Sequence, residues 1–258
     1  MWPFGRSALL DDETAEWHVD NFEWLLERFG ADGAFAASRL VLPDAFEVEG
    51  LRGVRLADVL FARVKELCGM SDWPVELLAQ PETADIEPNP ALGSIATGGA
   101  AGMFVADGDG VAITYDPRQL RDPPSLVGTF AHELAHYLLA TEPERPTSEP
   151  DEEEFLTDLA ACFLGFGVFM ANGAFSTATI VTETGTGSGW SRKGYLPQDD
   201  LLFDVALYVA AHGDDPADAA RGLKPHMRKP FDRALRQVAG DGRMRTMRER
   251  VAKEKERL

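Results

Sequence analysis

Large apolar residues recur at helical spacing in several long stretches of the chain. Over residues 13–29, Trp17, Phe22 and Leu25 are interspersed with acidic residues, which predicts an amphipathic helix. Residues 243–258 interleave Arg and Lys with Glu, which predicts a solvated helix. Apolar spacing predicts further helices over these ranges: 56–68, 122–140 and 198–211.

Three shorter stretches are typical of strands, over residues 75–79, 103–106 and 111–115. The last two flank Asp-Gly-Asp-Gly, a strong hairpin signal. That repeat is too short for an EF-hand calcium loop, so we interpret it as a turn. The predicted fold class is therefore α+β, mostly helical, with a small mixed or antiparallel sheet.

Residues 131–136 read Ala-His-Glu-Leu-Ala-His. On a helix, His132 and His136 lie one above the other and can reach the same ion, with Glu133 one step round. This is the H-E-x-x-H arrangement of zinc metalloproteases. A chance match is the alternative, but the surrounding sequence supports a helix. Asp122 offers an N-cap before two prolines, apolar residues follow at helical spacing, and the prolines of 141–150 end the run.

A catalytic zinc normally has three protein ligands, so two histidines are not enough. The acidic segment that begins at Asp151 predicts a second helix, on which Glu154 and Asp158 are four residues apart. Asp158 precedes an apolar run, and a buried carboxylate needs a partner. Either Glu154 or Asp158 could be the third ligand on this reasoning.

H-E-x-x-H followed by E-x-x-x-D resembles the gluzincin metallopeptidases. The resemblance implies that His132, His136 and Glu154 bind one zinc ion, and that Glu133 is the general base. It also implies that Asp158 orients the ring of His132, as a carboxylate on the far ring nitrogen does. The thermolysin-type sequence around the third ligand is absent beyond Glu154 and Asp158.

A second resemblance covers more of the chain and points to an uncharacterised family of bacterial H-E-x-x-H proteins. It strengthens the expectation of a metal site and implies no substrate. The segments that carry it are these: Trp17 with 21–26, 40–43, 157–159, 165–169 and 194–197.

Two further elements of a site are candidates. By analogy, a small sheet lies against the H-E-x-x-H helix, and 111–115 is the edge strand that pairs with an extended peptide. Tyr195, which precedes a predicted helix, is a candidate hydrogen-bond donor to the oxyanion of peptide hydrolysis. The alternative for Tyr195 is simple packing.

Composition limits the remaining function classes. Net charge is −18, yet residues 221–258 hold 13 Lys/Arg against 5 Asp/Glu. The acidic body argues against nucleic acid as the main ligand, and the basic segment is expected to be a solvated helix or to dock on the body. Cys68 and Cys162 lie in apolar contexts and are expected to be core thiols. The N-terminus lacks a signal-peptide pattern and 159–175 is too short and glycine-rich for a membrane span, so we expect a cytoplasmic protein.

The sequence therefore predicts a zincin-like core over 73–220, preceded by a helical region over 1–72 and followed by a basic helical tail over 221–258. We expect these three parts to pack as one compact domain. The predicted function is zinc-dependent hydrolysis of a peptide bond in a protein or peptide substrate. A non-catalytic, zinc-stabilised binding protein and a hydrolase of a non-peptide amide are the alternatives.

Overall fold

Helices dominate the computed structural model, which describes residues 8–30, 33–81, 102–107, 110–147, 149–173 and 196–258. Within these ranges a small three-stranded mixed sheet accompanies the helices, and the predicted α+β class is confirmed. The elements, in chain order, are α1 Asp12–Phe29, α2 Ala34–Ala37, α3 Gly53–Leu67, β1 Glu76–Ala79, β2 Gly102–Asp107, β3 Gly110–Tyr115, α4 Pro123–Ala140, α5 Pro150–Ala161, α6 Gly167–Gly173, α7 Gln198–His212, α8 Pro216–Gly222, α9 Arg228–Val238 and α10 Arg243–Lys255.

Local sequence explains where the first long helices begin. The Asp11 side chain caps α1 by accepting a hydrogen bond from the Thr14 N–H at 3.0 Å. Asp122 occupies the corresponding position before α4, but its side chain makes no capping hydrogen bond. The start of α4 is set instead by the prolines that follow, whose missing N–H groups cost nothing in a first turn.

The sheet has the strand order β1-β3-β2, with β1 parallel and β2 antiparallel to β3. The prediction that 111–115 forms the edge strand is wrong, because β3 pairs on both sides. In a simple hairpin of β2 and β3, one side of β3 would be a free edge, but here β1 pairs with that side in parallel. The strand at the outer edge beside α4 is β2, in which Phe104 lies opposite Ile113 of β3.

Helix α4 runs through the middle of the core. It contacts the sheet on one side and α3, α5 and α6 on the others, and Phe130, Ala131, Leu134 and Ala135 are fully buried. The apolar core continues through α7, which packs against α1, α6, α9 and α10. The cluster of buried apolar residues therefore draws on all three predicted segments of the chain.

A kink separates α5 from α6. Gly165 has a φ of 96°, a left-handed conformation that favours glycine, and a Cβ there would lie 2.4 Å from the Arg39 carbonyl oxygen. At Gly167 a Cβ would lie 2.7 Å from a Val205 methyl group of α7. These two glycines allow a close approach to residue 39 and to α7, while α6 also packs against α4.

The stretch Glu152–Gly173 is apolar and long enough to cross a membrane by composition, with a mean hydropathy of 1.6. In the structure 83% of its most apolar window is buried. The stretch is therefore packed in the way that a core helix of a soluble protein is.

The basic C-terminal helices dock on the acidic body. Phe231 and Val238 of α9 and Met247 and Val251 of α10 are buried in the contact with the rest of the core. An ion pair between Arg243 and Asp20 joins α10 to α1. Apolar burial and opposite charge thus act together at this contact.

Candidate metal centre

Two helices bring three potential metal ligands together. His132 and His136 lie one turn apart on α4, and Glu154 reaches them from α5. The Glu154 Oε2 atom is 3.2 Å from His132 Nε2 and 3.6 Å from His136 Nε2. The ligand atoms of these residues all lie within 4.8 Å of one another, close enough to hold a metal ion.

Each histidine is oriented through Nδ1, the ring nitrogen that does not face Glu154. The His132 Nδ1 atom lies 2.8 Å from Asp158 Oδ1, as predicted for the carboxylate that orients this ring. The second oxygen of Asp158 accepts a hydrogen bond of 2.8 Å from the Leu196 N–H. The His136 Nδ1 atom lies 3.3 Å from the Thr157 hydroxyl oxygen. Both rings thus point Nε2 towards Glu154, whereas Asp158 contacts the His132 ring through its other nitrogen and lies outside the group of three.

Glu133 projects beside this group and is only 5% exposed. A Cβ on Gly102 would lie 2.7 Å from Glu133 Oε1, so the absence of a side chain at Gly102 gives the carboxylate room. Burial raises the pKa of Glu133, an effect that His132, His136 and the backbone amide of Phe104 partly offset. The Phe104 ring also stacks on His136, with ring centroids 6.4 Å apart.

The titratable groups of the centre strongly shift one another's pKa values. Burial opposes a charge on both His132 and Glu154, but the hydrogen bonds and charges of their neighbours together outweigh burial. The pKa of Glu154 falls to about 2, and hydrogen bonds to Asp158 and Glu154 raise the pKa of His132 well above its usual range. Two imidazole nitrogens and a carboxylate oxygen fit a divalent cation, which would supply the positive charge that this arrangement favours.

A cavity of about 90 Å³ adjoins the centre. Among the described residues its lining includes His132, Glu133 and Asp158 but neither His136 nor Glu154. The cavity therefore lies towards the first turns of α4, beside the Glu133 carboxylate. Further lining residues come from α4, α6, α7 and the segment before α4: Gly128, Phe169, Met170, Leu201 and Gln119.

The remaining predicted residues have different outcomes. Tyr195 lies outside the described residues, and its catalytic role stays a prediction. Cys162 is fully buried and Cys68 packs against the core, so the two are core thiols, and burial raises the pKa of both. Among the described residues no other group of three potential ligands comes together.

Sequence reasoning missed three features of the centre. Thr157 lies one turn after Glu154, a spacing that could have placed it near the metal group. The stacking of Phe104 on His136 and the hydrogen bond from Leu196 to Asp158 depend on how distant segments pack, and the sequence carries no signal for either.

Comparison with known proteins returned no match, whether with protein-family models, with curated proteins or with solved structures. Both family resemblances therefore remain predictions. The geometry of His132, His136 and Glu154 is the observation that supports them.

Proposed function

We propose that the protein is a zinc-dependent hydrolase that cleaves peptide bonds. The observation that carries the proposal is the convergence of His132, His136 and Glu154, with Glu133 buried beside them. Catalytic zinc sites typically have three protein ligands of this kind, whereas structural sites are closed and usually rich in cysteine. The cavity at Glu133, which His132 also lines, provides space for a reacting group on one side of the centre.

Zinc at this position would act as a Lewis acid and lower the pKa of a water molecule to roughly 7. His132 and His136 would hold the ion through Nε2, with Asp158 and Thr157 fixing the two rings. Glu154 would complete the ligand set without filling the space in front of Glu133.

Glu133 is the proposed general base. Its carboxylate would accept a proton from the attacking water and pass that proton to the leaving amine, which balances the reaction. The confined position between α4 and Gly102 limits the rotation of this side chain, so the carboxylate stays directed at the same point.

The edge of the sheet supports a peptide substrate. Strand β2 pairs with β3 on one side, and no described strand pairs with its other side. Gly102 of β2 contacts Glu133 and Phe104 stacks on His136, so this strand borders the centre. An extended peptide added to β2 would gain backbone hydrogen bonds and pass the metal group, a recognition mode that other amides cannot use.

Substitution of Glu133 by Gln tests the proposal. Zinc content should remain near that of the unchanged protein, whereas cleavage should fall by a factor of at least 10²–10⁴, the usual contribution of a general base. The measurement compares new peptide termini, read by mass spectrometry, in cells that contain either form. The matched control is Glu249→Gln, the same change at an exposed residue of α10.

Each other outcome identifies an alternative. Zinc binding with no new termini in any comparison favours a hydrolase of a non-peptide amide. A cellular function that survives Glu133→Gln but is lost with the metal ligands favours a structural zinc site.

A further inference from the structure

A groove lies between helix α3 and the segment of residues 39–47. It has a volume of about 700 Å³, and it shares no described lining residue with the cavity at Glu133. Pockets that bind small organic molecules usually measure about 300–1,000 Å³. The groove is therefore large enough for a ligand of its own, apart from the metal centre.

Contacts behind the 39–47 segment fix one wall of the groove. The Val41 N–H donates a hydrogen bond of 2.9 Å to the Gly165 carbonyl oxygen. The ring of Phe46, which lines the groove, packs edge to face against Phe169 of α6, with ring centroids 5.4 Å apart. The wall is thus part of the packed structure, so the groove is formed before any ligand binds.

Most of the lining is hydrocarbon. Leu60 is 1% exposed and is held in place by the core, whereas Val59 is 41% exposed, although it is a large apolar residue. An exposed apolar side chain is unfavourable in water, and a ligand with an apolar body would cover it. Six lining residues are apolar: Leu40, Leu42, Ala45, Phe46, Val59 and Leu60.

The groove also has a cation on each side. Arg63 reaches it from α3 and Arg39 from the 39–47 segment. Arg63 pairs with the exposed Glu66 at 2.6 Å, and the Arg39 side chain has no partner among the described residues. A guanidinium group can bind a carboxylate through two parallel hydrogen bonds.

Two carboxylates, those of Asp44 and Glu47, complete the described lining. Both residues are exposed, whereas the Arg63 side chain is 32% exposed and is the most sheltered of the four charged groups. A sheltered charge is screened less by salt than an exposed one, so the lining favours an anion over a cation.

We propose that this groove binds a medium-chain fatty acid. The hydrocarbon chain lies along the six apolar residues, and the carboxylate binds Arg63 and Arg39. A peptide fits less well, because its backbone groups need hydrogen-bond partners and the apolar side chains offer none. A phosphate head fits less well, because Asp44 and Glu47 repel a dianion more strongly than a carboxylate. The inference goes beyond the proposed function and does not depend on the metal.

The volume agrees with a chain of about twelve carbons. A water molecule occupies about 30 Å³ of liquid and a methylene group is of similar size, so dodecanoate takes up roughly 400 Å³. This is less than the volume of the groove, which also has to admit the carboxylate between the two arginines.

The experiment measures binding by isothermal titration calorimetry. The full-length protein is titrated with dodecanoate below its critical micelle concentration, and we expect one molecule to bind per chain. Octanoate, which has four methylene groups fewer, should bind at least about tenfold more weakly because it covers less of the apolar lining. Dodecyltrimethylammonium has the same chain with a positive head and should also bind at least about tenfold more weakly.

Arg63→Gln tests the carboxylate contact. It should weaken the binding of dodecanoate about tenfold and reduce its advantage over dodecyltrimethylammonium by a similar factor. The matched control is Arg55→Gln, the same change at an exposed residue of α3 that does not line the groove. This control should leave both affinities unchanged.

Val59→Glu tests the apolar lining. It places a carboxylate where the chain should lie, so the binding of dodecanoate should fall at least about tenfold. Val54→Glu is the matched control, because Val54 is 64% exposed on the same helix and does not line the groove. Both positions are exposed, so neither variant should alter the unfolding temperature by more than a few degrees.

The outcomes are independent of the proposed function. Zinc-free protein should bind dodecanoate as tightly as zinc-loaded protein, so a failure of the zinc proposal leaves this measurement intact. Equal binding of dodecanoate, octanoate and the ammonium compound overturns the groove as a fatty-acid site, and so do equal losses in the test and control variants. Tighter binding of dodecyl phosphate, or of a short peptide that ends in Leu, overturns the choice of a fatty acid.

Discussion

Two buried histidines in this protein each have an aspartate as the partner of Nδ1, but the groups around them differ. His132 has Nδ1 at 2.8 Å from Asp158, and His18 of α1 has Nδ1 at 2.6 Å from Asp204 of α7. Both carboxylates lie on a neighbouring helix, and both are almost completely buried. Nε2 of each ring lies 3.2 Å from a second carboxylate, and the difference is that a second imidazole, His136, joins the group at His132.

In His18 that nitrogen lies 3.2 Å from Asp200, so carboxylates occupy both ends of the ring. Burial opposes the charged ring, but Asp204 and Asp200 outweigh burial and raise the pKa of His18 to about 9. The His18 contacts with Asp204 and Asp200 link α1 to α7. In His132 the corresponding nitrogen faces Glu154, with the ring of His136 4.7 Å away, centroid to centroid.

The comparison shows that a buried histidine with a carboxylate does not by itself indicate a metal ligand. What distinguishes the two clusters is whether the second nitrogen converges with other ligands of matching geometry. His18, Asp200 and Asp204 do not form such a group, whereas His132, His136 and Glu154 do.

The largest contrast should appear in metal content. His132→Gln removes a proposed ligand, so it should reduce zinc affinity by more than about a hundredfold. That loss exceeds the usual effect of removing a residue that only orients a ligand. His18→Gln is the same change in the other cluster and should leave about one zinc ion per chain. Metal analysis after dialysis against equal zinc activity distinguishes the two. Loss of zinc from His18→Gln would contradict the division between the clusters.

The next contrast concerns stability against pH. Because the pKa of His18 in the fold, about 9, exceeds the unfolded value of about 6.5, its charge stabilises the fold fully below pH 6.5. That contribution, roughly 3 kcal/mol, should be lost as the pH rises through 9.

Urea unfolding between pH 6 and pH 10 measures this contribution. The free energy of unfolding should decline more steeply with pH in the unchanged protein than in His18→Gln. His226→Gln, a change at an exposed histidine, is the control and should keep the steep decline. Parallel curves for the unchanged protein and His18→Gln would show that His18 carries no such charge.

The smallest contrast concerns the two carboxylates. Asp158→Asn removes the charge beside His132 and leaves the Leu196 N–H facing an amide, so zinc affinity should fall about 10–100-fold. Asp204→Asn should lower stability but change zinc affinity by less than about threefold. Competition with a zinc chelator gives both affinities. Equal losses in the two variants would mean that the clusters act as one unit.

Local patterns in the sequence were sufficient for the long helices and for the ligands that lie on them. Apolar spacing placed α4 over the observed residues, and His132 and His136 follow from a spacing of four on that helix. Glu154 and Asp158 could both be placed on one helix, but only the packing of α5 against α4 shows which one faces the ligand group.

Contacts between distant segments could not be predicted in this way. The pairing of β1 with β3 joins residues 76 and 112, and its parallel direction makes β2 the edge strand. The contact between His18 and Asp204 spans 186 positions. Hydrophobic periodicity reports which face of an element is buried, not what covers it, so neither contact has a local signal.

The kink at Gly165 has a consequence for tracing the ancestry of this protein. Gly165 is confined to glycine by its left-handed backbone, and Gly167 by the closeness of Val205. Both glycines follow Glu154 and Asp158 at fixed sequence distances. One sequence pattern, E-x(3)-D-x(6)-G-x-G, therefore marks both the carboxylates of α5 and the kink between α5 and α6. Homologues that overall sequence identity is too low to detect should keep this pattern downstream of H-E-x-x-H. Replacing either glycine by a larger residue would displace the segment at residue 39 or helix α7.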